Sequence, residues 1–463
     1  TELFDRIAQT ARQADTSQAA KTLHDVLVLT CTHGLRGSHH AFGSLMSQVD
    51  RLCRDRHLRS ADQVAIHKMR RDSNRTSESL HPDDVAADCR ALALFVSAVF
   101  DEGIPHTLTS LLSHSTNTPR QATEAYWPSI RCVIQTFDND TLTVTVDNDL
   151  TPLPLTINYT DTPAYRDFTY LRRIFREGMQ LNLIRCTVKE GVAMAQMIVV
   201  EPDFLIDIST LAACFKDYGH HALSYLVRRM MPSANSQAIL LGNFAGDVLD
   251  GIINSKQFDF NETLRTHFCQ KALEYATCTD INLPTLKQAM GVQVKNIEGM
   301  VDELFQRYNR EKAILEPSFV CEQLGLQGRV DLMTSDLRLL VEQKSGKNIF
   351  IERDFNNEHG GRHIESHYVQ VLLYNAVLQQ NFGRQNDTRI HLMYSKYERE
   401  RGLMEMKPLQ ALVEEAIKLR NQVVATEFFI ATHGFGALLP SLTPDTIVTQ
   451  NRDSYIVSHY DLP

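Results

Sequence analysis

Three polar side chains past the middle of the chain have the types and spacing that phosphodiester chemistry uses. The segment GLQGRVDLM starts at Gly325, turns through Thr334-Ser335-Asp336 and returns as LRLLVEQKSGK. Two strands joined by a tight connection fit this spacing. The returning strand runs Leu339-Leu340-Val341 and then Glu342-Gln343-Lys344. Strand side chains alternate, so Glu342 and Lys344 share a face. Asp331, at the end of the preceding strand, is expected beside them. Two carboxylates hold a hard cation such as Mg²⁺ through oxygen. Such a cation polarises a phosphate and lowers the pKa of a bound water. A lysine at its side orients that water or stabilises charge building on phosphorus. The Gln343 carbonyl is a further candidate oxygen ligand. On these residues alone a plainer alternative stays open: a surface hairpin whose polar face carries Asp, Glu and Lys.

After a polar loop comes HIESHYVQVLLYNAVL, in which His363, His367, Gln370 and Tyr374 recur at i, i+4, i+7 and i+11. That spacing makes one polar stripe on a helix otherwise packed through Val371, Leu372 and Leu378. The order GxxGRVD, ExK, HxxQxxxY resembles the RecB-type nucleases of the PD-(D/E)XK superfamily. The nuclease parts of replication and repair helicase–nucleases and the CRISPR-associated exonucleases share it. The resemblance implies a restriction-endonuclease-like α/β core with metal on Asp331 and Glu342 and catalysis by Lys344. It also implies DNA contacts from Gln370 and Tyr374, with His367 in the same stripe.

Upstream, Ile208-Ser209-Thr210 and Cys214 are similar to the start of such domains. LLGNFAGDVLDGII, residues 240–253, is similar to a helical motif of the form G-[TN]-x-x-H-x-x-x-E. Asp250 then takes the acidic position as a supporting metal ligand. Gly246 stands where the family has His, with Asp247 as a partial substitute. Alternatively, Gly242 and Gly246 simply allow close helix packing. Many relatives hold an iron–sulfur cluster through one upstream Cys and three after the Gln/Tyr helix. No Cys follows residue 321, so no iron–sulfur cluster is expected and Cys214 reads as structural.

The resemblance thus implies a Mg²⁺- or Mn²⁺-dependent deoxyribonuclease acting on single-stranded or flap DNA in replication or repair. A helicase domain C-terminal to this segment is the implied partner. The rival reading is a catalytically inactive, nuclease-like DNA-binding or scaffolding module, which Gly246 favours and the intact Asp331, Glu342 and Lys344 set disfavours.

The elements that must position these residues follow from periodicity. Residues 1–125 read as a helical domain. Phe42, Leu45, Met46, Val49, Leu52 and Cys53 form an amphipathic stripe, and Ser60 with Gln63 suggests a capping box. Residues 126–200 alternate as strands, with turns at Asp138-Asn139-Asp140 and Lys189-Glu190-Gly191, and suggest a small β-barrel, OB-like in type. Residues 201–430 mix helices and strands and carry the nuclease motifs. Residues 431–463 read as a linker or tail.

Composition sets outer limits. The 463 residues carry 47 Lys and Arg against 56 Asp and Glu, a formal charge of −9, so bulk charge does not mark a nucleic-acid binder. No apolar run approaches the ~20 residues of a membrane span. The N-terminus TELFDRIAQTARQAD has no apolar signal region and no initiator Met, as in a processed chain or fragment. Nine widely spaced cysteines without a CxxC pair suggest reduced thiols. A cytoplasmic protein without membrane partners is expected, nucleoid-associated if bacterial. His363-Ile364-Glu365-Ser366-His367 has the wrong Glu offset for a zincin, and neither a P-loop nor a GxSxG elbow occurs. His39-His40 and His220-His221 are expected to be solvated. Arg51, Arg54, Arg56 and Arg59, followed by Lys68, Arg70, Arg71 and Arg75, form a basic run. It reads as a solvated helical face or, alternatively, as a phosphate-contacting surface. Arg172, Arg173 and Arg176 form a second such patch.

Overall fold

The computed structural model describes residues 2–13, 15–38, 44–73, 82–109, 125–146, 154–160, 168–189, 191–216, 220–231, 235–255, 258–348, 364–383 and 387–443. Phe42, His39, His40, Arg75, Glu190 and His363 lie outside these residues. So does residue span 444–463 of the expected tail. The chain divides into two compact units, residues 1–204 with 427–435 and residues 205–426 with 436–463. The fold is mixed α/β. Among the described residues no single helix is long and apolar enough to cross a membrane.

The first unit opens with α1 (Glu2–Thr10), α2 (Thr16–Gly34), α3 (Leu45–Asp55), α4 (Ser60–Asp72), α5 (Pro82–Phe100) and the short α6 (His106–Thr109). Their apolar stripes meet in one core that includes Leu23, Leu27, Val49, Leu52, Ile66, Leu92 and Phe95. Met46, Val49, Leu52 and Cys53 are buried as the stripe requires. The capping box, however, sits at α3, where Ser44 and Ser47 cap each other's backbone. At α4 the N-cap is Arg59, and the Gln63 side chain donates to the Leu58 carbonyl instead.

Five strands follow: β1 (Ala125–Phe137), β2 (Thr141–Val146), β3 (Leu155–Asn158), β4 (Gln180–Lys189) and β5 (Val192–Val200). They close into a barrel in the order β1-β2-β3-β5-β4, with β3 and β5 parallel. Alternation gives the barrel its inward face: Leu142, Val144 and Val146 are buried while the threonines between them are half-buried. The first turn is an Asx turn, because Asp138 Oδ1 accepts from the Asp140 and Thr141 amides.

The second unit carries β6 (Ile206–Asp207), α7 (Ile208–Ala212), α8 (Ala222–Met230), α9 (Gln237–Asn254), α10 (Phe260–Gln270), α11 (Ala272–Ala276) and α12 (Leu283–Arg307). Next come β7 (Ala313–Leu315), β8 (Ser318–Cys321), β9 (Leu326–Arg329), β10 (Leu332–Thr334) and β11 (Leu339–Lys344). The unit is completed by α13 (Glu365–Phe382), β12 (Arg389–Tyr394), α14 (Arg399–Gly402), β13 (Leu403–Met406) and α15 (Gln410–His433), the last contributing residues up to Thr426. The main sheet has the order β13-β12-β11-β10-β7, with β11 and β12 parallel. A small sheet has the order β6-β9-β8.

The strand expected to run unbroken into Asp331 is two strands in two sheets. The partner ribbon explains the break: Glu316 has φ +48° and is followed by Pro317, which has no amide to offer a ladder. Across it, the Glu316 amide donates to the Asp331 carbonyl and the Val330 amide to the Pro317 carbonyl. Asp331 therefore sits at the step between sheets. One face of the main sheet, through Leu332, Leu339, Val341 and Met393, packs on α9 and α12. The other carries α13 against β11 and β12.

The helical region buries a costly charge at Asp88. Asp88 is 2% exposed and its Oδ2 has no hydrogen-bond partner among the described residues. Burial, aided by the charges of Asp72 and Asp84 and opposed by Lys68, pushes its carboxyl up to about 7. A carboxyl raised on folding contributes its stability below its usual 3.8 and loses it as pH climbs through 7. Asp88→Asn should therefore melt higher than the wild-type chain at pH 8, with the gap closing toward pH 4. A melting-temperature series across that range checks this.

Candidate active site at the end of β11

Glu342 and Lys344 leave the apolar part of β11 on the face that meets α13. Leu339 and Val341, on the other parity, are in the core beneath α9 and α12. Gln343 shares that second face, where its Nε2 donates to the Ala245 carbonyl of α9 at 3.1 Å. The alternation expected from the sequence thus places one acid and one amine together at the end of a buried strand.

The pair is held by α13. Lys344 Nζ lies 2.8 Å from Glu342 Oε1 and donates to Gln370 Oε1 at 2.9 Å. Gln370 Nε2 donates back to Glu342 Oε1 at 2.7 Å. Tyr374, one turn on, donates its hydroxyl to the Arg329 carbonyl at 2.7 Å, at the end of β9. Gln370 and Tyr374 are both buried, so their polar atoms face the Glu342–Lys344 pair and β9. Both side chains face inward because α13 buries every residue from Tyr368 to Asn375.

Asp331 joins from the step between sheets, where its Oδ2 accepts the Gln343 amide at 2.6 Å. Burial raises its carboxyl above the usual range, against the pull of that amide and of Lys344. Glu342 is pushed up to about 8, by burial first and then by the Asp331 charge. Asp250, on α9, is raised to about 6 by burial and by Glu316, Asp247 and Asp331. These carboxyls therefore act on one another through space. Among the described residues, however, no three His, Cys, Asp or Glu side chains close into a metal cage.

One observation bears on whether a cation fits. Glu342 is 4% exposed, and its Oε2 is buried without a hydrogen-bond partner. An orphan carboxylate oxygen beside a second raised carboxyl is costly in isolation. A divalent cation relieves both costs. Mg²⁺ commonly uses only one or two carboxylates and keeps several waters, so a closed protein cage is not required. On this ground the residues fit the ion.

Other expected residues are spent elsewhere. Asp247 pairs with His267 Nδ1, a buried histidine the sequence did not single out. A Cβ at Gly246 would meet nothing within 4 Å, so this glycine is not needed for close packing; at Gly242 a Cβ would meet Ser345 Oγ at 3.4 Å. His367 Nδ1 lies 3.0 Å from the Tyr394 hydroxyl, and its imidazole is pushed down to about 3, by burial first and then by Lys344 and Lys216. Tyr394 closes β12, paired in register with Lys344, which is the signal that could have found it. Cys214 is buried, its thiol directed at the Thr210 carbonyl. His220 is not simply solvated: it stacks on Phe215 and its Nε2 lies 2.9 Å from Glu415. His221 caps α8 by accepting the Leu223 amide.

The glycines of GxxGRVD have packing reasons. Gly325 adopts φ +62° against the buried Arg420 guanidinium. A Cβ at Gly328 would stand 2.8 Å from Tyr374 Cε1 and 3.3 Å from Ile208 Cβ. Gly328→Ala should therefore push Tyr374 off the Arg329 carbonyl and cost about 1–3 kcal/mol. Tyr374→Phe, which removes the hydroxyl's hydrogen bond to that carbonyl, should cost about 1–2 kcal/mol. Urea unfolding of each variant measures both.

No protein-family description matches this chain, and no curated protein matches it. Among solved structures, the chain is similar to a crystal structure of a protein named "Putative exonuclease" from Eubacterium rectale. The alignment covers 50% of this chain and 82% of that one, at 11% identity and a TM-score of 0.31. A likeness at that level carries no argument about activity.

Proposed function

We propose that this chain hydrolyses phosphodiester bonds in DNA at the end of β11, with Asp331, Glu342 and Lys344 as the reacting centre. The single observation that carries this is the orphan Oε2 of the buried Glu342, beside Asp331 and an ammonium held in place by Gln370. Asp331 and Glu342, with Asp250 in support, would hold a Mg²⁺ or Mn²⁺ ion. Such an ion, when bound, supplies Lewis acidity and a water that ionises near neutral pH.

The chain's own residues supply the rest. Glu342 Oε1 and Gln370 Oε1 fix the Lys344 ammonium from two sides. Its remaining N–H then faces a fixed direction and can orient a water or stabilise charge on a phosphoryl oxygen. Gln370 donates to the same Glu342 oxygen that Lys344 contacts, leaving Oε2 to the cation. Tyr374 anchors this helix to the Arg329 carbonyl, two residues before Asp331, so the distance between the two carboxylates is set by packing. Single-stranded or flap DNA as substrate, a role in replication or repair, and a helicase downstream rest on the resemblance of the motifs.

The absence of a closed three-residue cage among the described residues, with Gly246 where a histidine would stand, favours a second reading: a DNA-binding or scaffolding module without turnover. Labelled single- and double-stranded DNA incubated with Mg²⁺ or Mn²⁺ separates the two. The proposal expects cleavage by the wild-type chain and a loss of about 10²–10³-fold in Glu342→Ala and Lys344→Ala. Binding without cleavage supports the second reading. Cleavage that survives both substitutions removes this site from consideration.

A further inference from the structure

The first unit contains a cleft of about 1010 Å³ that the site on β11 does not use. Its walls are α3 and α4 on one side and the barrel strands β1 and β2 on the other. Arg51, Arg54 and Arg71 bring positive charge to it, and Thr136 and Thr145 bring hydroxyls. No Phe, Tyr or Trp is among its described lining residues.

Arg54 is built into the wall. Its Nη1 donates to the Gln135 carbonyl at 2.7 Å, and its Nε lies 3.1 Å from the buried Asp50 carboxylate. Its Nη2 is buried and has no hydrogen-bond partner among the described residues. Arg51 is steadied by Asp55, with Nε to Oδ2 at 2.9 Å. One acceptor faces both guanidiniums: Glu177 Oε2, 3.5 Å from Arg51 Nη1 and 3.6 Å from Arg54 Nη1. Those separations are too long for good hydrogen bonds, so Glu177 balances charge without filling the donors. Its side chain is half exposed. Two guanidiniums converging on one loosely held anionic oxygen suit a phosphate, which offers more acceptor oxygens than a carboxylate.

We propose that this cleft binds a phosphate-bearing ligand between Arg51 and Arg54, and that the phosphate displaces Glu177. A nucleic-acid backbone and a free pyrophosphate or nucleotide share this chemistry. Recognition is through phosphate rather than base, because no aromatic side chain is there to stack on. The proposal does not rest on the reading of the β11 site, and its test is read without turnover.

The full chain, in EDTA, is titrated with pyrophosphate by calorimetry and with a fluorescein-labelled oligothymidylate by polarisation. At least one probe should bind. Glu177→Gln should tighten that binding severalfold, because a competing anion is gone. Arg51→Gln should weaken it about tenfold, the scale of one charge-assisted hydrogen bond. Glu177 is exposed enough that its substitution leaves the fold intact, so this variant keeps the test valid even if Arg51→Gln melts early. Binding of pyrophosphate alone assigns a free nucleotide-like ligand; binding of the oligonucleotide alone assigns a strand. The proposal is overturned if neither probe binds the wild-type chain or Glu177→Gln, if Glu177→Gln does not tighten binding, or if a folded Arg51→Gln binds as the wild type does.

Discussion

A buried Glu342 carboxyl tied to a partly exposed Lys344 ammonium at the end of an apolar strand is the constraint around which the second unit is arranged. Burying a charge costs several kcal/mol unless its partners are in place. Glu342 and Lys344 repay part of this through each other and through Gln370. Gln370 can reach them only because α13 is packed flat on β11 and β12. The helix is fixed at its next turn by Tyr374 on the Arg329 carbonyl, and that contact needs Gly328 beneath the ring. The GxxGRVD glycines, the strand and the polar helix are thus parts of one support.

What the support leaves unsatisfied is informative. Burial and mutual repulsion raise Asp331, Glu342 and Asp250, all in the sense that a nearby cation would reverse. A net charge of −9 is by itself a poor match to a polyanionic partner. In the second unit part of that excess is concentrated in these carboxyls. In the first, positive charge is gathered locally on α3 and α4, where Arg51 and Arg54 face Glu177. Local arrangement outweighs the sum of charges at distances below the Debye length, about 8–10 Å.

Much of this was legible in the sequence where a short period carried it. The alternation in β11 put Glu342 and Lys344 on one face, and Leu142, Val144 and Val146 gave the barrel its inward side. The stripe at His367, Gln370 and Tyr374 predicted a helix with one polar line, yet not the direction it faces. Burial of that line depends on how tightly α13 lies on the sheet, a tertiary property. The step between sheets at Asp331 was likewise hidden, because it is enforced by Glu316 and Pro317 on another strand. The pairing of Asp247 with His267 joins residues twenty apart on two helices, beyond any local period.

The central claim is that Glu342 keeps one oxygen for a cation. It is tested most directly by titrating the full chain with Mn²⁺ and following the free-ion signal by electron paramagnetic resonance. The account predicts a bound ion in the wild-type chain that is lost in Glu342→Gln while the variant remains folded. A wild-type chain that binds no Mn²⁺, or a folded Glu342→Gln that binds it equally well, would contradict it.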